Sequence, residues 1–347
     1  MSSRAERMLL EHIRPVTDED REKLPMFSYS RLEQYKNCPM SYKLKYVDEK
    51  TTTDTSLALE LGSLCHYVLE TKGKMLKEDG IVRYSELDEM LNNGVIIEPE
   101  HIEWETIEAE RNSAMFSPHV KPEKRMLGVS QLQRKYLEEW CKVDKNSGMD
   151  YSQKIKLFWK KIVMTEMEND IWTAEYFEHY FEFVFDDRAI LHGFVDRIDL
   201  MDGFYRCVDY KTSKKTYDDS KLNTSLQFGI YNMAVLLEFG QLPIQSLYRF
   251  ILLDKSQQAL SVGWEKRLIK NLQDLFNCIQ YDKDNDLFKP VPSPLCHWCN
   301  YCSHNGNAGK YKHECQYYSL WTPEKKTFQV NREWSPEDPL RNRKLIF

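Results

Sequence analysis

The sequence predicts an α/β protein in which a mixed central sheet is flanked by helices. Two segments with alternating apolar and polar residues, ILHGFVDRIDL and FYRCVDYKTSK, are typical of strands, and the turn signal Asp202-Gly203 separates them. The segments YFEHYFEFVFDD and SLYRFILLD are rich in aromatic and branched residues and predict two more strands. Segments on both sides of this strand-rich centre carry apolar residues at helical spacing. Strands and helices together indicate a layered α/β core.

The elements follow in chain order. Residues 1–24 are polar, and we expect them to form a loose N-terminal arm. The stretch 28–47 predicts two short helices that are broken at Pro39. The segment LALELGSLCHYVLE predicts a helix with an apolar stripe, whereas 75–130 has weak periodicity and is expected to be an irregular helical insertion. Two further helices are predicted in SLQFGIYNMAVLLEFG and EKRLIKNLQDLFNCIQ.

These elements divide the chain into four predicted parts. They are an arm at 1–24, a core at 25–292, a cysteine-rich segment at 293–320 that closes onto the N-terminal helix, and a tail at 321–347.

The composition limits the class of protein. The chain has 347 residues, and its 41% hydrophobic and 29% charged content is typical of a folded globular protein rather than a disordered one. The formal charge of −6 argues against a protein that holds polyanions by its overall charge, although a local basic groove can exist on an acidic chain. No apolar run approaches the roughly 20 residues that span a bilayer, and the N-terminus lacks a signal-peptide core. We therefore expect a cytoplasmic protein without a membrane partner.

The hairpin around Asp202-Gly203 carries an unusual set of charges. Because side chains alternate along a strand, Asp209 and Lys211 project from one face, and Asp196 on the neighbouring strand lies within reach of it. Two carboxylates brought together out of water repel each other, so their proximity needs an explanation. A divalent cation supplies one, since Mg²⁺ and Mn²⁺ take oxygen ligands, and a nearby lysine can orient a water or offset charge on a phosphate. An ordinary surface hairpin with a salt bridge is the alternative.

The nine cysteines are better explained as buried thiols or metal ligands than as disulfides, because we expect a reducing compartment. Four are isolated among apolar or helical residues and are expected to be buried: Cys65, Cys141, Cys207 and Cys278. Four others crowd into the segment PSPLCHWCNYCSHNGNAGKYKHEC: Cys296, Cys299, Cys302 and Cys315. Such crowding indicates thiolate ligation of a metal. Cys38 stands alone near the other end of the chain.

The motifs G-x-x-D-R-I-D and V-D-Y-K-T-S-K resemble the signature of the PD-(D/E)XK nuclease superfamily, specifically its RecB-like branch. That branch includes the AddB nuclease domain and the CRISPR-associated RecB-like exonucleases. The resemblance implies that Asp196 and Asp209 are metal ligands and that Lys211 is the catalytic lysine. It also implies that the backbone carbonyl of Tyr210 is a ligand. Upstream, LGSLCHYVLE resembles a family helix whose histidine, here His66, ligates a metal.

Two further motifs occur in the family's order. Gln227 and Tyr231 match Q-x-x-x-Y, which implies contact with DNA beside the metal, although core packing could also produce this spacing. The segment FSYSRLEQYKNCPMSYKLKY resembles the family's N-terminal helix. Arg197 and Asp199 are expected to form a supporting pair near the site.

The resemblance also gives the cysteines a pattern. In iron–sulfur members of the family, one cysteine of the N-terminal helix joins three near the C-terminus around a [4Fe–4S] cluster, which implies Cys38, Cys296 and Cys299 as ligands. Here the sequence departs from the family pattern, because Cys302 comes early and Cys315 comes late. Cys315 is the favoured fourth ligand and Cys302 the alternate. A zinc site built from the same segment is the competing interpretation, since thiolates suit both metals.

The resemblance implies a restriction-endonuclease-like core that hydrolyses DNA phosphodiesters with Mg²⁺ or Mn²⁺. An exonuclease that acts on ends or single strands in recombination, repair or replication is the expected function, with DNA and unidentified proteins of those processes as partners. Two alternatives are a non-catalytic DNA-binding or scaffold protein that keeps the fold, and a zinc-binding interaction module. The sequence has no Walker A loop, so a P-loop motor is not expected.

Overall fold

The structure is a computed structural model. It describes residues 3–51, 62, 65–66, 69–70, 174–213, 215–261, 263–293, 295–296, 299–302, 310–311, 313–315, 319–322 and 327–330. The insertion expected at 75–130, Cys141 and most of the expected tail lie outside these residues. The chain forms two compact units, of which unit 1 comprises Met1–Asp54, Glu182–Gly193 and Val262–Phe347, and unit 2 comprises Thr55–Phe181 and Phe194–Ser261. The boundaries of the four parts expected from the sequence stay a prediction.

A mixed sheet of seven strands forms the centre of the fold. The strands are β1 (Ile13–Arg14), β2 (Met26–Ser28), β3 (Ala174–Phe185), β4 (Ala189–Met201), β5 (Phe204–Lys211), β6 (Gln245–Phe250) and β7 (Lys255–Gln258). Their order is β1-β3-β4-β5-β6-β7, and β2 pairs with β4. The β4–β5 pair is antiparallel, whereas β6 lies parallel to β5. A separate antiparallel pair consists of β8 (Ser319–Thr322) and β9 (Thr327–Val330).

Helices flank the sheet, which confirms the predicted fold class. They are α1 (Arg4–Leu10), α2 (Asp18–Lys23), α3 (Tyr29–Asn37), α4 (Pro39–Tyr46), α5 (Asp219–Asn223), α6 (Leu226–Phe239) and α7 (Trp264–Asn285). The predicted break is present, since α3 ends before Cys38 and Pro39 begins α4, where its missing N–H is not needed. None of the helices in the described part of the chain is long and apolar enough for a membrane crossing.

The expectation of a loose N-terminal arm is wrong. Ser3 and Thr17 each close a capping box at the start of a helix, α1 and α2 respectively. Leu9 and Ile13 are buried, and β1 pairs with β3 through Ile13 and Phe185. The prediction failed because it relied on the polar composition of this segment and overlooked its two helix caps and its few buried apolar residues.

The β4–β5 hairpin has the predicted turn. Asp202 and Gly203 have φ angles of 50° and 84°, which match the left-handed pair of a type I′ turn. Arg197 pairs with Val208 in the antiparallel register. Asp196 and Asp209 are the next residues beyond this pair on their two strands, so the hairpin carries both carboxylates at the same end.

Unit 2 covers one face of this hairpin with α6, which contacts β5. Ser225 caps α6 by accepting a hydrogen bond from the backbone N–H of Phe228, and Gly240 ends the helix with a φ of 75°. Unit 1 packs α7 against α1 and α3. Within it, Tyr35 Oη donates a 2.5 Å hydrogen bond to Asp282 Oδ2.

Candidate active site

The five residues expected at the metal site lie together in unit 2. Nε2 of His66 is 3.1 Å from the carbonyl oxygen of Tyr210, and Nδ1 of His66 is 3.4 Å from Oδ2 of Asp196. The backbone N–H of Tyr210 donates a 2.8 Å hydrogen bond to the same Asp196 oxygen. Lys211 Nζ forms an ion pair with Asp209 Oδ2. Both aspartates are buried, with 8% and 1% of their surfaces exposed.

Burial and mutual repulsion shift the charges of this site. Burial raises the pKa of Asp209 to about 6, and nearby Asp196 adds to the rise although Lys211 opposes it. Burial alone would raise the pKa of Asp196, but His66 and Lys211 outweigh it and lower that pKa. Burial alone would lower the pKa of His66, yet Asp196 and Glu178 hold it well above its ordinary value. Without a metal, the site therefore retains protons that a divalent cation would displace.

Glu178 is a member of the site that the sequence analysis missed. Its Oε1 is 3.6 Å from Nδ1 of His66, and ligand atoms of His66, Glu178 and Asp196 all lie within 4.8 Å of one another. Glu178 has a φ of 45° in the middle of β3, a left-handed conformation that costs about 1–3 kcal/mol for such a residue. A strained backbone at a cluster of ligands is typical of a functional site.

The residues present fit a divalent cation. They offer carboxylate oxygens, one imidazole nitrogen and a backbone carbonyl, which is a normal donor set for Mg²⁺ or Mn²⁺. Oδ2 of Asp209 is buried and accepts no hydrogen bond of good geometry from the described residues, although the ammonium of Lys211 lies beside it. A buried carboxylate oxygen that lacks a well-formed hydrogen bond is suited to bind a metal ion. The residues that would hold the ion are His66, Glu178, Asp196, Asp209 and the Tyr210 carbonyl.

Comparison with known proteins agrees with this geometry. The sequence model of the PD-(D/E)XK nuclease superfamily matches residues 26–304. The chain belongs to the PD-(D/E)XK nuclease superfamily. Members of this superfamily are nucleases that use divalent metals. Membership therefore identifies this chain as a metal-dependent nuclease that acts on DNA. The chain is also similar to the Gene 69 protein of Mycobacterium phage D29, with 23% identity over 297 residues that cover 80% of this chain and 95% of the phage protein.

Gln227, which the sequence analysis matched to Q-x-x-x-Y, contacts one carboxylate of the site. Its Nε2 donates hydrogen bonds to Asp209 Oδ1 at 2.5 Å and to Tyr231 Oη at 2.9 Å. Lys211 Nζ donates to Oε1 of Gln227 at 3.4 Å. Gln227 and Tyr231 are both buried, with 7% and 5% of their surfaces exposed. These contacts position Asp209 and Lys211, while the expected contact of Gln227 and Tyr231 with DNA stays a prediction.

The opposite face of the hairpin carries a buried ionic network. Arg197 donates to both carboxylate oxygens of Asp199 at 2.5 and 3.1 Å, and Arg206 Nε donates to Asp199 Oδ2 at 2.6 Å. Arg197 also donates to Tyr210 Oη at 3.2 Å. The expected pairing of Arg197 with Asp199 is confirmed. Because side chains alternate along strands, this pair lies on the face that points away from Asp196.

The structure brings Cys38 to the cysteine-rich segment. The backbone N–H of Val291 donates to Cys38 Sγ at 3.5 Å, although 253 residues separate the two. Burial raises the pKa of the Cys38 thiol, and Cys296 contributes to the rise. The isolated cysteines that the structure describes are buried as expected: Cys65, Cys207 and Cys278.

The other cysteines follow in tight turns. The backbone N–H of Cys299 donates to Cys296 O at 3.2 Å, and that of Cys302 donates to Cys299 O at 3.0 Å. Burial raises the pKa of Cys299 to about 11, and the nearby thiols of Cys38, Cys296 and Cys302 add to the rise. Cys315 lies beside Cys302 in a parallel bridge. Which of Cys302 and Cys315 is a fourth ligand stays a prediction.

Proposed function

We propose that this chain is a Mg²⁺- or Mn²⁺-dependent deoxyribonuclease of the RecB-like branch, and that it works as an exonuclease on DNA ends or single strands. The observation that carries the proposal is the convergence of Asp196, Asp209, Lys211 and His66 on one face of a hairpin. A structural role alone does not account for two buried carboxylates that lie close together on neighbouring strands. The resemblance of the sequence motifs to the RecB-like branch supports a place in recombination, repair or replication.

Each side chain of the site has a part in hydrolysis. A divalent ion bound there would supply Lewis-acid stabilisation of the phosphate and a more acidic water. The ammonium of Lys211 is held by Asp209 and by Gln227, and it lies 5.5 Å from the centre of the Tyr248 ring. A cation fixed in this way can orient the attacking water and offset charge on the phosphate oxygens. The N–H of Tyr210 holds Asp196 in the ligand position.

The cysteines support a second component of the proposal, a [4Fe–4S] cluster bound by Cys38, Cys296, Cys299 and Cys315, with Cys302 as the alternate fourth ligand. The proximity of Cys38 to Val291 and Cys296 is the supporting observation. Such a cluster would join residues more than 250 positions apart and stabilise unit 1 by several kcal/mol, roughly the loop-closure entropy that the unfolded chain would lose.

Cleavage of end-labelled DNA tests the nuclease proposal. Single-stranded, linear duplex and circular duplex DNA are incubated with the protein in Mg²⁺, in Mn²⁺ and in EDTA. An exonuclease shortens the linear single strand, the linear duplex or both, only with metal, and it leaves the circle intact. The Lys211→Ala variant should be inactive, whereas Lys270→Ala, which changes an exposed lysine of α7, should cleave like the wild type. A wild-type protein that binds DNA but never cleaves it would instead indicate a non-catalytic DNA-binding protein.

Metal analysis of anaerobically purified protein tests the cluster. We expect a brown protein with four irons and four sulfides per chain, as a cysteine-ligated [4Fe–4S] cluster requires. Cys38→Ala should lose the iron, whereas Cys278→Ala, a buried cysteine of α7, should keep it. Comparing Cys302→Ala with Cys315→Ala identifies the fourth ligand. A colourless protein that contains one zinc and no iron would contradict the cluster.

A further inference from the structure

A second lysine is held near the candidate active site by aromatic rings. Tyr217 follows β5, and its ring packs edge-on against the rings of Tyr248 and Phe250 at centroid distances of 4.9 and 5.2 Å. The ammonium of Lys221 in α5 lies 3.7 Å from the centre of the Tyr217 ring. The ammonium of Lys211 lies 5.5 Å from the centre of the Tyr248 ring. Two neighbouring aromatic rings therefore connect Lys221 to the candidate catalytic lysine.

The ring that holds Lys221 is itself fixed in place. The backbone N–H of Tyr217 donates to Gln257 Oε1 at 2.9 Å, and Nε2 of Gln257 donates back to the carbonyl of Tyr217 at 3.0 Å. The helix that carries Lys221 is anchored as well, because Leu222 is buried and its carbonyl accepts a 3.0 Å hydrogen bond from the N–H of Leu260. Hydrogen bonds and burial therefore hold both Tyr217 and the helix of Lys221 in place near the site.

This arrangement has the properties of a phosphate contact. Lysine is a compact point charge on a flexible stem, and ordering it normally costs rotamer entropy. Contact with the Tyr217 ring restrains the ammonium, so less entropy remains to be lost when an anion binds. The chain has a formal charge of −6, and Asp196 and Asp209 lie at the reacting centre. A DNA strand that enters this site therefore needs local positive charge to offset repulsion.

We propose that Lys221, held against Tyr217, binds a backbone phosphate of the substrate strand close to the phosphate that is hydrolysed. The inference rests on the proposed deoxyribonuclease function and adds a contact with its substrate. One DNA strand carries a phosphate for each ~3.4 Å of helix axis, so neighbouring phosphates lie within reach of a second cation beside the site. Because an ammonium reads charge and not base edges, the contact should not depend on base sequence.

The salt dependence of DNA binding tests the contact. The full-length protein is titrated in EDTA with labelled oligothymidylate and with labelled oligodeoxyadenylate, at salt concentrations from about 50 to 200 mM. The slope of log K against log salt is negative, and loss of one phosphate contact on a single strand makes it less negative by about 0.7. We expect this change for Lys221→Gln on both oligonucleotides, together with about three- to tenfold weaker binding at low salt. Lys221→Arg should restore the slope, and Lys270→Gln should leave it unchanged.

The outcomes separate this inference from the proposed function. If Lys221→Gln has the wild-type slope while the wild type cleaves DNA, the phosphate contact is wrong and the nuclease function stands. If the slope for Lys221→Gln becomes less negative but the wild type cleaves no DNA in any metal, the contact stands and the catalytic proposal fails. A loss seen on only one of the two oligonucleotides would contradict a backbone contact.

Discussion

The two faces of the β4–β5 hairpin carry charges that are organised in opposite ways. On one face, Asp196 and Asp209 are both buried and close enough to interact electrostatically, and Oδ2 of Asp209 accepts no well-formed hydrogen bond from the described residues. On the other face, both oxygens of Asp199 accept hydrogen bonds from Arg197, and Arg206 adds another. Residues that are adjacent in sequence therefore belong to two systems. One is left incompletely paired, as ligands for a metal should be, and the other is fully paired, as a structural network should be.

Tyr210 connects the two faces. Its side-chain hydroxyl accepts a hydrogen bond from Arg197 on the paired face, while its backbone N–H holds Asp196 on the site face. Its carbonyl oxygen lies 3.1 Å from His66 Nε2. The comparison thus predicts that substitutions on the site face reduce activity and that substitutions on the paired face reduce stability.

Asp196→Asn and Asp209→Asn on the site face should have the largest effect. Each substitution removes a charged ligand, and we expect cleavage of labelled DNA to fall by on the order of 10³-fold or more, which corresponds to about 4 kcal/mol. Both proteins should remain folded, as judged by circular dichroism. A variant that keeps near-wild-type cleavage would show that the site is wrongly placed.

Asp199→Asn on the paired face should mainly destabilise the protein. Removal of one partner leaves Arg197 and Arg206 with less compensation for buried charge, and we expect the free energy of unfolding in urea to fall by about 3–5 kcal/mol. Asp254→Asn is a matched control, because its ion pair with Arg249 is half exposed and should contribute less than about 1 kcal/mol. If Asp199→Asn is as mild as Asp254→Asn, the network is not structural.

The pH dependence of stability distinguishes the faces further. The folded-state pKa of Asp209 is raised to about 6, and that of His66 is also raised. Both groups bind protons more tightly in the folded state, so the metal-free protein should become more stable as the pH falls from about 7.5 to 5, by roughly 2 kcal/mol. Below that window the lowered pKa of Asp196 has the opposite effect.

Urea denaturation in EDTA at the two pH values measures this change. Asp209→Asn should weaken the trend, and Asp254→Asn should keep it. Saturating Mg²⁺ should abolish it, because a bound cation displaces the protons. A metal-free wild type that is less stable at pH 5 than at pH 7.5 would contradict the assigned charges.

Much of the hairpin could be predicted from the sequence because its signals are local. The Asp202-Gly203 dipeptide specifies the turn, and alternation then assigns each side chain to a face. The N-terminal helices could not be predicted from composition, since their caps and buried residues are few. Glu178 was hidden for another reason. Strand β3 also contains Glu175 and Glu182, and the positive φ at Glu178 interrupts the alternation by which one of the three could have been selected.

Glu178 therefore gives the last and smallest test, which asks whether the site face extends onto β3. Glu178→Gln keeps the size of the side chain and removes its charge from the group with His66 and Asp196. We expect the Mn²⁺ concentration for half-maximal cleavage to rise by roughly tenfold, as for loss of a ligand or of a group that orients one. Direct calorimetric titration of Mn²⁺ should show the same shift. Glu175→Gln in the same strand is the matched control and should bind like the wild type. Equal Mn²⁺ affinity in the two variants would confine the site to the hairpin and His66, and the strained φ of Glu178 would then need another explanation.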